Sequence, residues 1–195
     1  MKYLIFTALF SSFFVVRDQS IASNIPDFDK KIERLIKKQW KEIKVEFKEA
    51  DLTEDVRSAF QGRQIFYLTS KDSIVGFLAV NKAYGCHDGG CQDVMSVTDR
   101  AIDNTYEAFF YAIIFNPDLT IKYVKVLQYE SEFGYEICGS RWLRQFVHTT
   151  GCDLEFGKEI DGISGATVSA QSITYDINNL CWIMGDLKDE LLSGH

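Results

Sequence analysis

The chain has 195 residues, 46% hydrophobic and 25% charged, which is ordinary globular composition and excludes disordered, collagen-like and coiled-coil classes. A net charge of −7 leaves no basic footprint, so nucleic acid is not an expected partner. Five cysteines in this length are too few for a scaffold built from disulfides.

Residues 1–22 have the organisation of a secretory signal peptide. Lys2 supplies a positive start, residues 3–16 are uncharged, and Ser20-Ile21-Ala22 places small residues where a signal peptidase reads. The run is short for a bilayer span, which needs about 20 residues. Arg17 and Asp18 interrupt it before the cut, so an uncleaved anchor is the competing reading. Residues 23–195 are then expected to form one exported domain, in the periplasm or cell envelope.

Within that domain, Phe28, Ile32, Leu35, Ile36, Trp40 and Ile43 recur at spacings of three and four, which predicts an amphipathic helix. A second short helix is expected from Asp51, as N-cap, to Phe60. Residues 64–69 and 73–81 read as strands joined by a Ser70-Lys71-Asp72 turn. Residues 107–115 and 120–129 read as a second hairpin around Asn116-Pro117-Asp118. Alternation in its second strand puts Ile121, Tyr123, Lys125 and Leu127 on one face. Residues 82–104 are polar and Gly-bearing and read as a loop. Residues 140–147 predict a short helix and 167–183 a longer one. Strands in runs with helices around them predict an α+β fold, an antiparallel sheet built from hairpins with flanking helices.

The informative segment is Asp161-Gly-Ile-Ser-Gly-Ala-Thr167, a turn opening the last of these helices. Gly165 permits tight backbone geometry, Ala166 adds almost no bulk, and Thr167 falls in the first helical turn. Helix N-termini present unpaired N–H groups and a dipole that favours anions by about 0.3–1 kcal/mol. Ser164, Ser169 and Ser172 offer further hydroxyls. From these features alone, an ordinary capped helix start is the favoured reading, with an anion site as its alternative.

Asp161, Ser164, Gly165, Ala166 and Thr167 together match D-x-x-S-G-A-T, which resembles the flavinylation motif of the FMN-binding domain family. That family includes the C subunit of the sodium-translocating NADH:quinone reductase and the G subunit of the Rnf complex. The resemblance implies FMN joined through its phosphate to Thr167 by a separate flavin transferase. It implies a role for Asp161 in recognition by that transferase or its metal. It extends to the strand–turn–strand at 109–125, to Glu130-Ser131 and Gly134 after it, and to the Trp142 helix, over about residues 73–180. Glu132-Phe133 replaces the Pro-Gly that often follows in the named subunits. The implied protein is an extracytoplasmic electron carrier with a membrane or extracytoplasmic redox partner. Tyr129, Phe133, Tyr135 and Trp142 are candidates to stack on a flavin ring, with core packing as their ordinary use.

Cys86-His87-Asp88-Gly89-Gly90-Cys91 admits three readings: a local Cys86–Cys91 disulfide, a metal site short of a fourth ligand, or redox-active thiols. Cys138 and Cys152 bracket the Trp142 helix and are candidates for a second disulfide, a weaker one than Cys86–Cys91. Cys181 is read as a buried thiol. No catalytic residue or resident metal is expected. Two competing functions stay open: a non-redox exported binding module in which SGAT only caps a helix, and a thiol or metal protein acting through the Cys86–Cys91 loop.

Overall fold

The computed structural model describes residues 25–86, 106–131 and 134–193. The expected leader, residues 87–104 of the expected loop with His87 and Cys91, Phe133 and His195 lie outside the described residues. Five strands, β1 (Glu46–Glu49), β2 (Gln64–Ser70), β3 (Ser73–Cys86), β4 (Tyr106–Phe115) and β5 (Ile121–Gln128), form one antiparallel sheet in the order β1-β2-β3-β4-β5. Both expected hairpins are present, with Ser70 opposite Ser73 and Phe115 opposite Ile121. The architecture is α+β, with α1 (Asp29–Gln39), α2 (Glu54–Ala59), α3 (Ser140–Leu143), α4 (Thr167–Asp186) and α5 (Lys188–Ser193) around the sheet.

Both faces of the sheet are covered, which is why β4 is a continuous apolar run. Its Phe109, Tyr111, Ile113 and Phe115 join the core that contains Ala170, Ile173, Ile177 and Leu180 of α4. Its Phe110, Ala112 and Ile114 join a second core with Phe28 and with Ile32, Leu35 and Ile36 of α1. Each fully buried side chain of this size stabilises the fold by about 1.5–3 kcal/mol. Across the first core, Arg63 pairs with the Asp176 carboxylate, and the Tyr111 hydroxyl donates to Asp176 Oδ2 at 2.6 Å. This ties β4 and the turn between α2 and β2 to the middle of α4. Among the described residues no helix is long and apolar enough to cross a membrane.

Several expectations are corrected. The first helix stops at Gln39, because Trp40 leaves helical geometry (φ −124°, ψ 85°) as the chain turns toward β1; Ile43 is 46% exposed. The second helix starts at Glu54 with Thr53, not Asp51, at its N-cap. Residues 82–86 continue β3 rather than opening a loop, pairing with 106–110 of β4. Residues 144–146 form a 3₁₀ turn after the single α-turn of α3. The regular alternation of β5 is broken, with register shifts opposite it at Phe110/Tyr111 and Ile114/Phe115. Ile121 therefore shares the α4-side core with Val124 and Val126, while Tyr123 and Leu127 pack toward α1.

The cysteine pairing also differs. Cys181 is buried, but it is joined to Cys152, with a Cα–Cα distance of 5.4 Å across a separation of 29 residues. Cys138 is a free thiol rather than the partner of Cys152, and burial pushes its pKa up. The reason is the path of the chain beyond α3. Gly151 packs on Ile121 and Ile177, a Cβ there falling 2.8 Å from Ile121 Cδ1, and this delivers Cys152 to α4. Cys86 lies at the end of β3, opposite Tyr106 of β4; Cys91, and with it the readings of the Cys86–Cys91 loop, lies outside the described residues.

Candidate functional site

Thr167 is the first residue of α4 and is exposed. A tight turn precedes it: the Ala166 N–H donates to the Ile163 carbonyl at 3.1 Å, and Gly165 occupies the third turn position with φ +81°. A positive φ at that position is what a type II turn demands, and glycine adopts it without penalty. Ala166 is the N-cap residue, and no side chain caps the helix. Among the described residues the Thr167 hydroxyl donates to the Ile163 carbonyl, at 3.4 Å. Ser164 and the Asp161 carboxylate are also exposed.

The backbone of the motif is held from behind by α3 and the 3₁₀ turn that follows it. Trp142 Nε1 donates to the Asp161 carbonyl at 2.8 Å, and the Asp161 N–H donates to Gln145 Oε1 at 2.9 Å. Trp142 itself is buried, with its ring edge-on to Phe146 at 5.3 Å between centroids. It is a strut beneath the motif, not a surface on which a ring could stack.

The segment after β5 meets the motif directly. Gly134 has φ +74°, and a Cβ there would lie 3.1 Å from both Cα and Cβ of Ala166 and 2.9 Å from the Tyr129 hydroxyl. No side chain fits between the two loops. Tyr129 is half-buried, edge-on to Phe109, and shares a hydrogen bond of 3.0 Å with Ser169 Oγ. Burial raises its pKa, while its hydrogen bonds with Ser169 and Ser131 act the other way. Glu130 is exposed and accepts from the Gln128 side-chain amide. The expected site residues at 130, 131, 134, 142, 161 and 164–167 are therefore brought to one end of the sheet.

Two serines change role. Ser169 and Ser172 are buried, at 2% and 0% exposure, and face the sheet rather than the solvent around Thr167. Ser172 Oγ accepts from the Tyr84 N–H at 3.0 Å. A Cβ on Gly85 would fall 2.6 Å from Ser169 Oγ. The end of β3 thus belongs to the site's frame, which the sequence reading missed. The available signal was Gly85 itself, since glycine inside a strand marks close approach of another group. Among the described residues no group of three or more His, Cys, Asp or Glu is placed to hold a metal ion.

No protein-family model matches the chain, and no curated protein matches it significantly.

Proposed function

We propose that this protein is an exported flavoprotein that carries FMN covalently on Thr167 and works as an extracytoplasmic electron carrier. The observation that supports this reading most is the disposition of Thr167. Its hydroxyl stands exposed at the positive end of a 20-residue helix and does not cap it. A cap would be the ordinary use of small polar residues here, but alanine, a poor capping residue, holds the N-cap position.

The residues around it fit such a group. The Gly165 turn and the wall made by Gly134 and Ala166 keep bulk away from the hydroxyl, and α3 with the 3₁₀ turn after it holds the Asp161 backbone. In attachment, Thr167 Oγ1 would bond to the FMN phosphorus of FAD and lose its proton. The phosphoanhydride bond would break and AMP would leave. A flavin transferase supplies that reaction, and the exposed Asp161 carboxylate is available to it or to its metal. Once bound, the isoalloxazine supplies reversible electron transfer, and the protein's part is to hold and expose it. A covalent tether makes rebinding intramolecular, at an effective concentration of about millimolar for a short flexible link. The Cys152–Cys181 disulfide is compatible with an oxidising, extracytoplasmic compartment.

The test is intact mass after coexpression with a flavin transferase. The protein should gain about 438 Da, FMN less water, and absorb near 450 nm after denaturation and desalting. Thr167→Ala should lose both. An unmodified wild-type chain under those conditions refutes the proposal.

A further inference from the structure

The sheet's other end of interest lies along β5. A groove of about 350 Å³ runs between α1 and β5. It continues toward α3 as a second groove of about 210 Å³, the two sharing Lys38, Tyr123 and Lys125. Their rim carries Lys31, Arg34, Lys38, Lys125 and Arg144 and no carboxylate. In a chain of net charge −7 this is a local reversal of sign. Arg34, Lys38, Lys125 and Arg144 form no ion pair among the described residues; the pairs present are Glu33–Lys37, Lys44–Glu46, Arg63–Asp176 and Glu155–Lys158. Lys31 spans the groove, its Nζ donating to the Leu127 carbonyl at 2.7 Å. The floor is apolar, formed by Leu35 and Leu127 with Tyr123.

Among the described residues β5 is the last strand of the sheet, and beyond its first residue, which exchanges hydrogen bonds with residues 148 and 149, no further strand pairs with it. From Tyr123 to Leu127 it spans about 13 Å, the reach of a short extended peptide. We propose that this groove docks an acidic, extended polypeptide segment of a partner protein, apolar side chains on the floor and carboxylates against the cationic rim. The mode combines edge-strand recognition with charge complementarity. A membrane surface fits less well. The exposed large apolar side chains, Ile43, Tyr135, Tyr175, Trp182 and Leu192, lie outside both stretches of the groove, so nothing there projects into a bilayer. The inference does not depend on what Thr167 carries.

The probe is a fluorescein-labelled octapeptide of alternating glutamate and valine, titrated with the mature protein at about 50 mM salt, where surface charges are weakly screened. Expected are saturable anisotropy, amide shifts confined to α1, β5 and the α3 region, and affinity that falls as salt rises. Arg34→Glu combined with Lys125→Glu should weaken binding about tenfold. Lys48→Glu, on the opposite edge strand, should not change it. Melting curves establish that the variants fold; should the double variant not fold, the wild-type shift map decides. Equal binding of the glutamine–valine peptide, shifts elsewhere, or no binding overturns the proposal. So does sedimentation with phosphatidylglycerol vesicles in place of peptide binding. Dimerisation of the chain that the same reversal abolishes also overturns it, in favour of a second copy.

Discussion

Gly134→Ala separates two costs at the candidate site. The residue sits at φ +74°, and its missing Cβ points into Ala166. An L side chain in left-handed geometry costs about 1–2 kcal/mol. Gly165 bears the same backbone penalty at φ +81°, but nothing lies within 4 Å of its Cβ position. Gly165→Ala should therefore lose only that amount. At Gly134 the new methyl meets Ala166 Cα and Cβ at 3.1 Å and the Tyr129 hydroxyl at 2.9 Å. The obstacle is partly backbone, so it cannot swing aside, and overpacking adds about 1–3 kcal/mol. The total for Gly134→Ala is about 2–5 kcal/mol, or roughly 4–20 °C in Tm for a chain of this size. Urea unfolding followed by far-UV circular dichroism measures both variants against wild type. Because Ala166 must move to accept the methyl, flavin loading of Thr167 should fall in Gly134→Ala as well. Equal midpoints for the two variants would mean that the loop after β5 does not pack on the motif, and the frame described for Thr167 would be wrong.

Three further outcomes follow from the same contacts. Replacing Cys152 and Cys181 by serine should cost about 2–4 kcal/mol, read from urea midpoints, and reductant should lower the wild type toward the variant. Trp142→Phe keeps a ring in the core but removes the donor to the Asp161 carbonyl; it should cost about 0.5–1.5 kcal/mol and reduce adduct yield by mass, whereas Thr167→Ala should abolish the adduct while changing stability by less than about 0.5 kcal/mol. Burial, and then the Asp176 carboxylate, hold the Tyr111 phenol well above its usual value of 10.0, so the folded protein keeps a proton that the unfolded chain releases. That contribution is intact below about pH 10 and erodes as pH rises, by up to about 1.4 kcal/mol per pH unit for one group. Tyr111→Phe should be less stable at neutral pH by about 1–3 kcal/mol and lose stability less steeply above pH 10.

The hairpins and α4 were legible because their signals are local: apolar runs, a Pro-Asp turn, a turn-forming glycine. β1 was not. Glu46-Phe47-Lys48-Glu49 is short and charged, as suits an edge strand that must not recruit another, and it pairs with β2 only because the sheet is already there. The faces of β5 were misread for a related reason. Its alternation is regular in sequence, but Lys122 and Leu127 are skipped in the pairing with β4, and where an extra residue is accommodated depends on the partner strand's register, which β5's own sequence does not encode. The disulfide depended on Gly151 packing beneath Ile121 and Ile177, a contact between distant segments that cysteine spacing does not encode. At the site, Trp142 takes the ordinary use expected of it, packing in the core, and its donation to the Asp161 carbonyl is a contact that an aromatic's position in sequence does not reveal.

The D-x-x-S-G-A-T segment divides into residues that the fold explains and residues that it does not. Gly165 is required by the turn, and Ala166, 3% exposed, by the wall it shares with Gly134. Ser169 and Ser172 beyond it are small because α4 lies against Tyr84 and Gly85 of β3. These would be needed in a protein that binds nothing. Asp161, Ser164 and Thr167 have their side chains exposed, and neither the Asp161 carboxylate nor the Thr167 hydroxyl braces the helix. Packing accounts for the spacing of the segment but not for an acid, a serine and a threonine on its outer side. That remainder is where a chemical function has to be sought, on a turn whose backbone is tied to Trp142 and Gln145 and packed against Gly134.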